Sequence, residues 1–234
     1  MIKIESLSKS FGSFYALRDV NLEIFPGEFW IIVGPNGAGK TTLLKIIATL
    51  SQPSKGKIEI DGIFSVGERI NIRKQIGFIG HQSFLYDNLT VEENLKFYSQ
   101  MYNLDNPIQR IEKMLRQVGL QEQKSNFVRN LSRGMQQRLS IGRALLIDPK
   151  IVILDEPFSG LDQNAIDNFV ELFTSLVSPD RIIIMTTHNL QLGLHLATNY
   201  AVLSKGKIVK KGFARATDFS KFKQLYSELT GEMN

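Results

Sequence analysis

The chain has no cysteine in its 234 residues, which excludes disulfide bonds and thiolate metal sites and permits a reducing compartment. Long apolar runs are also missing. The longest, around Phe29 to Val33, Ile151 to Leu154 and Ile182 to Met185, fall far short of the roughly 20 residues that cross a bilayer. The start, Met1-Ile2-Lys3-Ile4-Glu5, alternates apolar with charged residues like a strand and lacks the continuous apolar core of a signal peptide. No tract rich in Ser, Gly, Pro or Gln marks a linker or disordered arm. A cytoplasmic protein that neither spans a membrane nor is exported is therefore expected. Histidine is limited to His81, His188 and His195, and none has a second ligand at a helical or hairpin spacing, so no metal cluster is expected.

What is present is ordinary globular material, with 43% hydrophobic and 22% charged residues, enough to bury one sizeable core. One domain spanning residues 1–234 is expected. The net charge of +5 suits acidic partners such as nucleotides, nucleic acid or an anionic membrane face. A solvated basic surface is the simpler reading.

Short β-type runs alternate with helical stretches: Phe29 to Val33, Thr41 to Leu50, Ile151 to Leu154, Ala165 to Val177, Ile182 to Thr186. That order predicts an α/β protein with parallel strands. Strands that are apolar on consecutive residues are covered on both faces, and ligands then sit at their carboxyl ends. Ile2 to Ser6, Val20 to Phe25 and Lys57 to Asp61 instead alternate and are broken by Gly12, Pro26-Gly27 and Gly56, which predicts an antiparallel β layer. Residues 90–145 show helical periodicity, as at Leu95, Tyr98 and Met101 or Ile111, Leu115 and Val118, and are expected to form a helical subdomain. A short amphipathic helix at about 216–230 would place Phe219, Phe222, Leu225 and Leu229 on roughly one face.

Gly34-Pro35-Asn36-Gly37-Ala38-Gly39-Lys40-Thr41 fits the phosphate-loop pattern, follows a predicted strand and precedes a helical run, which is the context the motif requires. Glycines let backbone N–H groups converge on a phosphate and the helix adds its positive end. Lys40 reaches the β/γ oxygens and the Thr41 hydroxyl coordinates Mg²⁺, with Thr42 completing the phosphate set. Ile151-Val152-Ile153-Leu154-Asp155-Glu156-Pro157 is a buried strand ending in adjacent carboxylates. Asp155 would hold Mg²⁺ through its water shell, and Glu156, one residue further out, would polarise a water for in-line attack. The plain alternatives are a glycine-rich turn with no ligand and an acidic pair at a helix start.

Leu131-Ser132-Arg133-Gly134-Met135-Gln136-Gln137-Arg138 resembles the LSGGQ signature of ABC ATPases. The resemblance extends to Gln82 as the glutamine of the Q-loop, Ser159-Gly160-Leu161-Asp162 as the D-loop and His188 as the switch histidine. It implies an ABC-type fold, a P-loop core with an antiparallel β layer and an inserted helical subdomain. It also implies ATP and Mg²⁺ as cofactors, catalytic roles for Glu156, His188 and Gln82, and Mg²⁺ contacts from Thr41, Gln82 and Asp155. Phe11 matches the aromatic residue that stacks on adenine, with Phe14 and Tyr15 near enough to compete and ordinary core as the plain reading. Ser132 and Gly134 keep the pair that meets the γ-phosphate held by a second copy, with Arg133, Met135 and Asp162 in the same neighbourhood. Arg133 and Met135 replace a glycine and a glutamine, which puts a ribose contact from Met135 in doubt. His195, within Leu192 to Leu196, reads as structural.

The partners implied are a second copy of the chain and transmembrane transporter subunits, with no nucleic acid. A soluble ABC ATPase of DNA repair or translation is the rival. Between Lys40 and Leu131 there is room for a helical subdomain but not for a long coiled-coil arm. A GTPase would need a guanine-specifying Asn/Thr-Lys-x-Asp, which is absent. The stretches Ile76 to Gln82, Leu89 to Tyr98, Leu131 to Arg138 and Phe158 to Gln163 resemble the ATPase of the haem exporter of cytochrome c maturation, with drug or other ABC-2-type export as the main rival. Rings among Phe84, Tyr86, Phe97, Tyr98 and Tyr102 are expected either to receive a helix of the membrane partner or to fill the subdomain core.

Overall fold

Strands that are apolar on consecutive residues can be covered on both faces, and β3 (Phe29–Val33), β7 (Ile151–Asp155) and β8 (Ile182–Thr186) are buried at every position, including the polar ends Asp155 and Thr186. The computed structural model describes residues 1–64, 69–80 and 83–231. Alternate side chains of these strands feed two separate cores. Phe29, Ile31, Val33, Val152, Leu154, Ile183 and Met185 face one. Trp30, Ile32, Ile151, Ile153, Ile182 and Ile184 face the other. At about 1.5–3 kcal/mol for each large apolar side chain removed from water, such strands anchor the fold.

They lie in a six-stranded sheet of order β10-β9-β3-β8-β7-β6, with β6 at Ile76–Ile79, β9 at Asn199–Ser204 and β10 at Lys207–Phe213. All neighbours are parallel except the β9/β10 pair. A second, antiparallel sheet has the order β2-β1-β4-β5, from β1 (Ile2–Phe11), β2 (Phe14–Ile24), β4 (Lys55–Ile60) and β5 (Ile63–Phe64). Its inward residues, Ile2, Ile4, Leu7, Val20, Leu22, Ile58 and Ile60 among them, share a core with Leu43, Leu44, Ile46 and Ile47 of α1 (Lys40–Ile47). This is the α/β fold with an antiparallel β layer expected above, though β1 and β2 run further than the alternation suggested. They extend to a tight hairpin in which Phe11 pairs with Phe14.

Within residues 90–145 lie α3 (Val91–Met101), α4 (Pro107–Gln117) and α5 (Arg133–Leu145). Each start has a local cause. Thr90 and Glu93 form a capping box before α3, Pro107 opens α4, and the Ser132 hydroxyl caps α5 by accepting from Met135 N. Their inner faces, through Leu95, Ile111, Leu115, Leu139 and Ile141, join the core on one side of the large sheet. The remaining helices are α2 (Arg69–Arg73), α6 (Gln163–Ser175), α7 (Leu190–Leu196) and α8 (Phe219–Thr230). The packed face of α8 carries Phe219, Phe222 and Leu229 as expected and adds Tyr226, with the Phe222 ring 4.9 Å from that of Tyr200. Among the described residues no helix is long and apolar enough to cross a membrane.

Candidate active site

The parallel order β3-β8-β7 places three strand ends side by side, and the loops that leave them build one cleft. The first loop turns from β3 into α1 through two glycines that no other residue can replace without moving backbone. Gly34 has φ +156° and a Cβ there would lie 2.0 Å from Leu203 O; Gly39 has φ +106° and its Cβ would lie 2.4 Å from Ala16 O. The loop is thus pressed against β9 and β2, and its open face borders a cleft of about 330 Å³. Asn36, Gly37, Ala38, Gly39, Lys40, Thr41 and Thr42 line one side, with Phe11, Phe14, Glu156 and His188 also on the wall.

Lys40 is only 9% exposed. Its Nζ donates to Gly34 O at 2.6 Å and to Pro35 O at 3.1 Å, so the ammonium curls over the loop at the positive end of α1. One step away, the buried Asp155 Oδ1 accepts from Thr41 Oγ1 at 3.1 Å and from Thr186 Oγ1 at 2.8 Å. A hydroxyl and a carboxylate in contact beside a phosphate loop are the hard oxygen donors that suit Mg²⁺, which keeps phosphate and water as its other ligands. The donor set therefore fits a nucleoside triphosphate with its cation.

Glu156 adopts φ +53°, an uncommon conformation for a residue with a side chain and one that costs on the order of 1–2 kcal/mol. Its amide is held by Thr186 O at 3.2 Å and Thr186 Oγ1 at 3.0 Å. The turn carries the carboxylate into the cleft, where Oε2 accepts from His188 N at 3.1 Å. Oε1 lies 3.2 Å from His188 Nε2, but the alignment is not that of a hydrogen bond, and among the described residues this buried oxygen has no hydrogen-bond partner. A buried acceptor in that state is suited to an ordered water.

Phe11 is 58% exposed and Phe14 62% exposed, so neither ring is core. The sequence favoured Phe11 with Phe14 as a competitor, and both border the cleft. Thr186, whose hydroxyl ties Asp155 to the Glu156 amide, was missed; its signal is the parallel register that sets Thr186 opposite Asp155. Ser132, Arg133, Gly134 and Met135 are not on the wall. They lie at the start of α5, with Ser132 and Arg133 exposed, and a Cβ on Gly134 would be 4.0 Å from Leu161. Asp162 caps α6, accepting from Ala165 N at 2.8 Å, and is likewise off the wall. His81 and Gln82 lie outside the described residues. His195, read as structural, is exposed in the last turn of α7.

Cleft walls of this construction belong to P-loop enzymes that hydrolyse nucleoside triphosphates. Residues 17–159 match the family model described as ABC transporter, and the chain belongs to that family: it is an ABC-type ATPase. It is 36% identical over 200 residues to the ABC transporter ATP-binding protein NatA of Bacillus subtilis (strain 168), a match covering 84% of this chain and 81% of NatA. It is 37% identical over 213 residues to the phospholipid-transporting ATPase ABCA3 of Homo sapiens, covering 88% of this chain but only 12% of that protein. A solved dimeric ATP-binding cassette in a post-hydrolysis state, bound to ADP and Pi, superposes with a TM-score of 0.84 at 30% identity over 92% of this chain and 99% of the other.

Proposed function

We propose that this chain is the motor subunit of a transporter: two copies close around ATP, hydrolysis lets them open, and the cycle moves a separate transmembrane subunit. The observation that carries the proposal is the placement of the signature. The start of α5, with Ser132 and Arg133 exposed and Gly134 and Met135 half-buried beside them, stands off the cleft that holds Lys40 and Glu156, so a second copy is needed to bring a signature to it. A twofold, isologous pairing supplies one to each site. The likeness to a dimeric cassette bound to ADP and Pi supports that arrangement.

In the closed state the loop from Gly34 to Thr42 cradles the phosphates, Lys40 exchanges carbonyl partners for phosphate oxygens, and Phe11 stacks on the adenine. Thr41, Asp155 and Gln82 would hold Mg²⁺, which would supply positive charge against the phosphates. Glu156 Oε1 accepts a proton from the attacking water, whose oxygen bonds to the γ-phosphorus as the bond to ADP breaks; Gln82 and His188 orient that water. Ser132 Oγ and the amides at the start of α5 of the second copy face the γ-phosphate, and Asp162 lies beside them. Loss of that phosphate removes contacts made by both copies, so the dimer opens. The whole chain, residues 1–234, acts as one nucleotide-binding domain on the inner face of the membrane, without nucleic acid.

The transmembrane subunit docks where apolar rings reach the surface between the sheet and α3. Phe84, Tyr86 and Phe97 are 40%, 47% and 38% exposed, and Tyr86 and Phe97 meet edge to face at 4.8 Å. Tyr98, 8% exposed, instead fills the core and its hydroxyl donates to Phe84 O. Tyr98 is therefore the wrong position for a test of docking. Phe97→Asp is expected to melt within a few degrees of the parent and to lose assembly with the membrane subunit; retained assembly would refute docking at this face.

For cargo, the four stretches named above favour haem export for cytochrome c maturation, with drug or other ABC-2-type export as the rival. NatA and ABCA3 show that similar cassettes serve differently named transporters. Deleting the gene in a strain with no second copy should lower covalent haem in exported c-type cytochromes. Unchanged levels would remove the haem reading and leave the motor.

A further inference from the structure

A cavity of about 180 Å³ opens at the seam between the large sheet and the helices of residues 90–145. Leu50, Phe84 and Tyr98 give it apolar walls, and two guanidinium groups, Arg73 and Arg143, line it with no carboxylate among the described lining residues. The two arginines differ. Arg73 is engaged by Thr49, through Nε to Oγ1 at 3.0 Å and Nη2 to the carbonyl at 2.8 Å. Arg143 donates Nη2 to Phe78 O at 2.7 Å and lies 5.4 Å from the centres of the Phe84 and Tyr98 rings. Its buried Nε has no hydrogen-bond partner among the described residues. Burial holds its pKa below the usual guanidinium value, the mark of a cation without a compensating anion. At the cavity mouth, Leu50 is 44% exposed and Phe84 is held at φ +54°, a strained conformation for a bulky residue that the packing must maintain.

A buried cation with an unused donor is costly alone and favourable once a carboxylate meets it, because the charge-assisted bond forms where water is excluded. We propose that the docking segment of the transmembrane subunit carries an Asp or Glu whose carboxylate seats against Arg143 in this cavity, its apolar neighbours covering Leu50, Phe84 and Phe97. The inference rests on the docking reading above and adds what that reading lacks, the chemistry that selects one membrane subunit over another. An apolar segment alone leaves Arg143 uncompensated, which is how a pocket rejects a wrong partner.

The test uses the intact transporter, this chain co-expressed with the membrane subunit that copurifies with it. Arg143→Gln, which removes the charge while keeping an amide donor, is expected to weaken assembly at least about 30-fold, with Arg143→Lys falling between it and the parent. Asp and Glu residues in the cytoplasmic loops of the membrane subunit are replaced singly by Asn and Gln. One position should reproduce the loss and add no more than about twofold when combined with Arg143→Gln. If Arg143→Gln assembles like the parent while Phe97→Asp does not, docking stands and the carboxylate is overturned. If both assemble, the docking reading itself fails. Should Arg143→Gln melt too low to purify, the acid scan decides alone: no sensitive acid overturns the proposal.

Discussion

Glu156→Gln is expected to bind ATP as the parent does and to hydrolyse it about 100- to 10,000-fold more slowly, the range lost with a positioned general base. The amide keeps the shape of the carboxylate and can still meet His188 N, so the φ +53° turn and its anchors on Thr186 have no reason to change. What disappears is the acceptor at Oε1, the buried oxygen without a partner. Because ATP then persists, the closed pair should accumulate and elute as a dimer in size-exclusion chromatography with ATP present. Turnover equal to that of the parent would remove Glu156 from the role of base.

Lys40→Ala fails at a different step. The ammonium is the one lysine or arginine side chain on the described cleft wall, and a hydrogen bond to a charged group is worth about 1.5–3 kcal/mol. Its loss should raise the ATP dissociation constant roughly 10- to 150-fold. No ATP-dependent dimer should then form at ATP concentrations that pair Glu156→Gln, and equilibrium binding of a fluorescent ATP analogue gives the affinity directly. Parent-like affinity would mean that the loop amides and α1 alone hold the phosphates.

Much of this site was legible because its chemistry is local. The glycines at 34 and 39 are fixed by backbone geometry, and an apolar strand ending in Asp155 and Glu156 announces its own sheet position. Other features depend on tertiary register. Thr186 becomes part of the site only because β8 lies beside β7, and Phe14 only because the β1/β2 hairpin is long enough to bring both rings to the cleft. On α3, helical periodicity grouped Phe97 with Tyr98, but only packing decides that one ring reaches the surface and the other fills the core.

The stretches that suggested a cargo have structural causes of their own. Thr90 and Glu93 start α3 as a capping box. The fully buried Asn94 ties that start to Tyr86 through both backbone groups. Gly77 is required because a Cβ would come within 2.6 Å of Ala144 O. Residues kept for such reasons report on the motor rather than on what it moves. In the proposed transporter the membrane subunit selects the cargo, and the proposed contact at Arg143 carries that choice from this side.

That two copies build each working site is tested most directly by ATP turnover per chain, measured over a hundredfold range of protein concentration at saturating ATP and Mg²⁺. The expected result is turnover that rises with concentration and levels off as the pair forms, in parallel with the dimer fraction seen by sedimentation. Constant turnover per chain, with the protein remaining a monomer throughout, would contradict it and show that the cleft of Lys40, Asp155 and Glu156 is complete without a second copy.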